Sequence, residues 1–290
     1  MPLNGTQVVR RALPPPAAVR KFLNFNNVVV KADFLTRTKK KAAGMRKLAL
    51  FFLCFSLVIV AVDPQPSATY VVGTGTITPW SMSVDPSSGD LYVADMPRNR
   101  VLRYTEDNGF TSAVSVLGQP NITTVLVSVL PTPSSLYNPQ DLFIDSQLYL
   151  WVADTNNQRV LRFSPSSKTQ NGSNADGVFG QPNFSSQNID YPQESAATLA
   201  GPTSVFVDSE GTLWVSDMGN NRVLRLLNAL NRANGSAADT ELCQPSFNVS
   251  YEGCSPSMAN GTGVVTVSPQ GEVFVTDQNN NRVVRENLQA

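Results

Sequence analysis

The 290-residue sequence predicts an all-β fold, a β-propeller, and three observations carry that prediction. First, one stretch recurs four times: DMPRNRVLR at 95–103, DTNNQRVLR at 154–162, DMGNNRVLR at 217–225 and DQNNNRVVR at 277–285. A recurring unit of this kind buries its apolar faces only by stacking against its neighbours. Second, the runs around these stretches are short, β-branched and aromatic, and they are bounded by turn residues. No stretch after Thr69 sustains an apolar helical period. Third, the run that leads into each aspartate is almost continuously apolar: LYVAD (91–95), LWVAD (150–154), LWVSD (213–217) and VFVTD (273–277). A strand reads that way when both faces of its sheet are covered. Antiparallel four-stranded sheets covered on both faces by their neighbours are radially packed blades.

Each unit has the same parts in order. A first strand (SMSVD at 81–85, DLFID at 141–145, TSVFVD at 203–208, GVVTVS at 263–268) leads through a brief turn into the second, apolar strand. Four turn residues follow, and RVLR or RVVR opens the third strand. The unit closes on VLGQP (116–120), VFGQP (178–182) or ELCQP (241–245). The hairpin between the second and third strands places Asp95, Asp154, Asp217 and Asp277 near Arg100, Arg159, Arg222 and Arg282. An aspartate there can also accept bonds from the amides of its own turn. The second arginines, Arg103, Arg162, Arg225 and Arg285, lie three positions on. Odd spacing sends them to the opposite face, where a planar guanidinium can brace an adjoining blade. One reaction centre does not need four copies around a ring, so these twelve residues read as structural braces. Trp80, Trp151 and Trp214 read as core.

The leader differs from the body. Residues 1–47 hold eleven of the 22 Lys/Arg and one of the 22 acids, which leaves a body of net charge −10. An acidic body argues against nucleic-acid binding, which needs clustered cations. Residues 1–44 read as a basic disordered leader or a start assigned too far upstream. Residues 45–68 read as a signal peptide or signal-anchor, because basic residues precede a charge-free run, Leu48–Val62, that is short for a bilayer span. The propeller takes 69–290. Both leader readings deliver the body outside the cytosol, with a membrane partner only if the apolar segment stays uncleaved. Six Asn-X-Ser/Thr triplets, at Asn121, Asn171, Asn183, Asn234, Asn248 and Asn260, fall in loop-like stretches. Cys243 and Cys254 are the two cysteines left after cleavage, and an oxidising compartment predicts a disulfide between them. The chain has no histidine, so Ser–His–Asp, Cys–His and His-ligated zinc sites are excluded.

The frame P-x-x-V-x-V-D-x-x-G-x-L-W-V-S-D-x-x-N-N-R-V, clearest at 202–223, resembles the NHL repeat family. The resemblance spans Trp80 to Arg285 and implies blades of a propeller that usually has six. The longer period here is similar to that of secreted or surface NHL proteins of microbes. Within the family, peptide-amidating lyases bind metal through histidines, ubiquitin ligases add zinc-binding domains, and RNA binders use a basic face. None of these features is in this chain.

Only four repeats are present. TYVVGTG (69–75) resembles a closing strand without a blade, and the last repeat lacks one, so the N-terminal strand is expected to complete the last blade. The alternative is a fragment of a six-bladed ring. The function expected is a non-catalytic, secreted or surface-displayed module that binds protein or glycan through blade loops. One alternative is the ectodomain fragment of a larger receptor or sensor. The other is a carboxylate- and Ca²⁺-dependent hydrolase or lyase in the central funnel, suggested by Asp85, Asp145 and Asp208 at the ends of first strands. The fourth copy has Ser268 there.

Overall fold

A computed structural model describes residues 77–287, apart from Val129, Asp190–Pro192, Cys254 and Pro256, together with four short strands in the segment before them. Those four strands form two antiparallel pairs. β1 (Val19–Phe25) pairs with β2 (Val28–Phe34), and β3 (Val58–Val60) pairs with β4 (Tyr70–Val72). The rest of the leader, with its signal and anchor readings, lies outside the described residues. No helix among the described residues is long and apolar enough to cross a membrane.

The body is a β-propeller array of antiparallel meanders. Blade 1 is β5 (Pro79–Val84), β6 (Leu91–Asp95), β7 (Arg100–Tyr104) and β8 (Ser115–Leu117). Blade 2 is β9 (Pro139–Ile144), β10 (Leu150–Asp154), β11 (Arg159–Phe163) and β12 (Gly177–Phe179). Blade 3 is β13 (Pro202–Val207), β14 (Leu213–Asp217), β15 (Arg222–Leu226) and β16 (Thr240–Leu242). Blade 4 shows three strands, β17 (Thr262–Val267), β18 (Glu272–Asp277) and β19 (Arg282–Asn287). Within each sheet the strands lie in chain order. The first strands touch one another in series, β5 with β9, β9 with β13 and β13 with β17, which makes them the inner edges of the blades.

The seams between blades hold the core. Tyr92, Ala94, Val101 and Leu117 of blade 1 meet Leu142, Leu150, Val152 and Leu161 of blade 2. A second cluster runs from Trp151 and Phe179 through Trp214 and Val223 to Val265 and Val275. All five residues of β6, β10 and β14 are buried, whereas β18 alternates between buried and half-buried. Blades 2 and 3 have a neighbour on each face; one face of blade 4 is only half covered.

One expectation is corrected. The N-terminal strand does not complete blade 4: β4 pairs with β3, and Val72 packs into the blade 1 cluster beside Ile77, Leu91 and Val93. Strand pairing follows the nearest free edge, and the chain leaves β4 only a few residues before β5, which holds it against blade 1.

Candidate functional site: the connector face

The antiparallel order sorts the loops into two ends. Turns between second and third strands, and the long connectors from one blade to the next, share one end. The other end carries the remaining turns. The repeated motif builds the first end residue by residue.

Asp154 and Arg159 are directly paired across the β10–β11 hairpin, as Asp95 with Arg100, Asp217 with Arg222 and Asp277 with Arg282 are across theirs. Each aspartate accepts Nε–H of its arginine, at 2.8, 2.7, 2.8 and 2.6 Å in blades 1 to 4. Its other oxygen accepts a backbone N–H from the connector entering the blade: Thr78, Tyr137, Ala200 and Asn260. Asn157, Asn220 and Asn280, three residues on, donate their amides to the same carboxylates; blade 1 uses Arg98.

The guanidinium spends its remaining N–H groups on the connectors of its own blade. Arg159 donates to Thr132 O and Ser135 O of the incoming connector and to Phe184 O of the outgoing one. Arg222 repeats this with Ser195 O, Thr198 O and Phe247 O, and Arg282 with Ser255 O and Met258 O. Arg100 reaches Ile122 O. In blades 1 to 3 the pair therefore clamps the chain on both sides of the blade to a hairpin, and in blade 4 it holds the incoming connector.

Of the second arginines, Arg162 reaches an adjoining blade, while the contacts of Arg103, Arg225 and Arg285 lie within their own blades. Arg162 joins Asp176, lies over Tyr149 and Trp151, and donates to Leu230 O of blade 3. Arg103 pairs with Asp90 and Arg285 with Glu272. Arg225 lies over Trp214 with Nε–H buried and unbonded.

Burial sets the electrostatics. Asp217 is fully buried, and loss of water pushes its carboxyl up to about 6, against the pull of Arg222 and the N–H of Ala200. Asp154 is pushed up for the same reason. Asp277 is less enclosed. Burial raises it, but Asn260 N–H, the Asn280 amide and Arg282 outweigh that and hold it below the ordinary carboxylate range.

Two side-chain roles were missed from sequence. The glutamine of the GQP runs is a buried staple. Gln119 Nε2 donates to Asn99 O of the hairpin turn and to Leu126 O of the connector, and Leu126 N–H donates back to Gln119 Oε1. Gln244 binds Asn221 O and Tyr251 in the same way, and Gln181 binds Gln158 O and Asn188 O. The second missed group is the residue that ends each turn in the left-handed region: Asn99, Gln158 and Asn221 at φ 54, 55 and 53°. Each turns its side-chain carbonyl to the N–H of the next blade's connector, at Asn138, Gly201 and Gly261. The signal was visible in the recurring Q of GQP and the recurring amide before Arg; what each binds was not.

The connectors so held display large apolar side chains. Val125, Leu126, Val127 and Leu130 are 51, 59, 59 and 67% exposed between blades 1 and 2, with Ile189 and Tyr251 exposed on the next two connectors. From Asn108 to Gln140 the chain carries no charge.

Asp85, Asp145 and Asp208 lie at the opposite end and do not converge. Asp145 accepts Trp151 Nε1–H and the N–H groups of Gln147 and Tyr149; Asp208 does the same with Trp214, Glu210 and Thr212. Asp85 meets the buried Lys168 of blade 2. The fourth copy has Ser268 with Phe274 in place of tryptophan, whereas blade 1 has Tyr92 in that slot and keeps Asp85, which it uses for Lys168. These bonds make the three aspartates turn caps rather than a calcium ring, and no group of three metal-ligating side chains occurs among the described residues. A different carboxylate does join blades. Asp141, buried on β9, accepts Ser81 Oγ–H of blade 1 and both Ser204 Oγ–H and Val205 N–H of blade 3.

Of the sequons, Asn121, Asn171, Asn183, Asn234 and Asn248 are exposed and Asn260 is half-buried. Asn171 and Asn234 accept the N–H of Val116 and Val178, outer-strand groups of the preceding blades. Cys243 is a buried free thiol, pushed up to about 12 by burial; its expected partner, Cys254, lies outside the described residues.

These blades define the chain as a β-propeller protein. No family model matches it, and no curated protein matches it. Among solved structures it is similar to virginiamycin B lyase from Staphylococcus aureus (16% identity, TM-score 0.45, over 81% of this chain and 64% of that one). It is also similar to a chain of a nidogen–laminin complex (15%, 0.47, 77% and 65%) and to an auxiliary nutrient binding protein from Bacteroides thetaiotaomicron (13%, 0.47, 70% and 46%). The chain thus spans less than two-thirds of the length of each.

Proposed function

We propose that the chain is a non-catalytic interaction module with NHL-type blades, secreted or displayed at the cell surface, that binds a protein or glycan through its connector face. The observation that carries this reading is the display of Val125, Leu126, Val127, Leu130, Ile189 and Tyr251 on connectors whose backbones are stapled from beneath. Loops on a rigid scaffold are where binding concentrates, and exposed apolar groups held in place lose little entropy when a partner covers them. The sequons and the apolar leader support delivery outside the cytosol. The carboxylates that suggested chemistry are consumed as braces and turn caps.

The test is to express the full chain through a secretory host and screen it against glycan and cell-surface protein arrays. Ile189→Lys with Tyr251→Ala should abolish any binding found while leaving thermal unfolding unchanged. Binding lost instead through variants of the opposite end, such as Glu210→Lys, would overturn the assignment of the face.

A further inference from the structure

We propose that Asn171 and Asn234 are N-glycosylated edge clamps: each side chain caps the outer edge of the preceding blade with its carbonyl oxygen while its amide nitrogen carries an oligosaccharide. The proposal rests on delivery of the chain outside the cytosol, as read above. It adds two modified positions and what they hold.

The two loops are copies of one device. NGSNAD at 171–176 and NGSAAD at 234–239 lie between the third and outer strands of blades 2 and 3. Asn171 Oδ1 accepts Val116 N–H at 2.9 Å, and Gly172 N–H donates to Val116 O at 2.9 Å. Asn234 Oδ1 and Gly235 N–H hold Val178 in the same way, at 3.1 and 3.0 Å. Val116 and Val178 are the middle residues of β8 and β12. Without the loops, their outward N–H and C=O groups would be a free sheet edge. The same contact explains the glycines. They sit at φ 60 and 70°, and a Cβ would stand 3.2 Å from Pro120 Cα and 2.9 Å from Pro182 Cα.

The clamp accounts for the side-chain oxygen and the glycine, and it leaves two features over. One is the amide nitrogen. An aspartate would cap as well, since the clamp uses only an acceptor. Both copies nevertheless have asparagine, exposed, with Nδ2 making no bond among the described residues. The other is the hydroxyl two residues on. Ser173 and Ser236 turn it to the carbonyl three residues upstream, Gln170 O and Ala233 O, and not to the clamp. The triplet at Asn121 differs. There Thr123 donates both its N–H and its hydroxyl to Asn121 Oδ1, so the turn itself needs the threonine. A free amide nitrogen with a hydroxyl at the second residue after it is what N-glycosyl transfer requires, and the clamp uses neither. In that transfer Nδ2 loses a proton and bonds the anomeric carbon of a lipid-linked oligosaccharide. The bond from that carbon to the carrier diphosphate breaks, and its electron pair leaves with the diphosphate. Oδ1 remains a carbonyl acceptor, so the modified residue still caps the edge, and a hydrated glycan stands over the outer rim.

The test is peptide mapping of the full chain expressed through a secretory host. A peptide N-glycosidase in heavy-oxygen water converts each occupied asparagine to a labelled aspartate. The expected result is label at Asn171 and at Asn234. Ser173→Ala and Ser236→Ala should each remove the label at its own site, and Asn171→Asp, which keeps an acceptor, should melt with Ser173→Ala. Asn171→Ala removes label and cap together and should melt a few degrees lower than either, because Val116 N–H loses its partner. Label at other triplets with none at Asn171 and Asn234 would overturn this proposal alone. A chain unlabelled throughout would overturn the delivery reading with it. Alanine and aspartate variants of Asn171 that melt together would refute the clamp.

Discussion

Blade 3 and blade 4 carry almost the same hydrogen bonds in different surroundings. Asp217 and Asp277 each receive a connector N–H, an asparagine amide and an arginine Nε–H. Arg222 is wholly buried, however, and Arg282 is 30% exposed. The same motif is therefore a wholly buried ion pair in one blade and a pair whose arginine reaches water in the next, and the two aspartates shift in opposite directions. The lesson is that the motif specifies partners, while the neighbouring blade specifies what the partnership is worth.

The largest expected effect breaks that comparison directly. Arg222→Ala strips Asp217 of its counter-charge in a dry site and should cost about 3–5 kcal/mol, whereas Arg282→Ala should cost about 1–2 kcal/mol because the guanidinium it removes already reaches water. Urea denaturation of the two variants checks this, and equal costs would remove burial as the reason.

The next effect concerns the closing runs. Gly118 and Gly180 sit at φ +87 and +83°, and a Cβ on Gly180 would lie 2.2 Å from Leu199 Cδ1. In blade 3 the same position is Cys243, at φ 68°, and the facing leucine has become Ala259. The pair has exchanged volume. Gly180→Cys should therefore cost about 2–3 kcal/mol, and adding Leu199→Ala should recover part of it. A double-mutant cycle gives the coupling.

A third test sharpens the distinction between blades with and without an indole acceptor. Asp145→Ser should cost about 1–2 kcal/mol because it leaves Trp151 Nε1–H buried and unpaired. In a Trp151→Phe background, which reproduces the Phe274 and Ser268 of blade 4, the cost should fall by about half, as read from thermal unfolding.

The smallest effect is in pH. Asp217 has a folded value of about 6, above its unfolded one, so it opposes folding above that pH and is relieved as pH falls toward 4. Stability relative to Asp217→Asn should rise over that window, by at most about 1.4 kcal/mol per unit. Asp277 is held below its unfolded value, so its contribution is present above the ordinary carboxylate range and is lost as pH falls through its folded value. Asp277→Asn should give the opposite slope at more acid pH.

Much of the blade was legible in the sequence because it is local. The period of the apolar runs, the turn residues and the five-residue spacing from Asp to Arg place strands, hairpin and pair within one stretch of chain, and Asp154↔Arg159 follows from the hairpin register alone. The targets of the remaining guanidinium N–H groups were not legible, since Ser135 and Phe184 stand 24 and 25 residues away on opposite sides. Asp141 shows the same limit more sharply. It was one letter in a quoted strand, and only the juxtaposition of β5, β9 and β13 makes it a link between blades 60 or more residues apart.

The sequence by itself determined the blade, the braces and the identity of the buried strands, because period, turn chemistry and charge spacing act over a few residues. Only the tertiary structure decided which strand β4 joins, which brace arginines lie dry and which reach water, that the three first-strand aspartates cap separate turns, and that the apolar connector residues share one end. Those outcomes depend on contacts between segments that have no fixed spacing along the chain, and on water that the neighbouring blade excludes or admits.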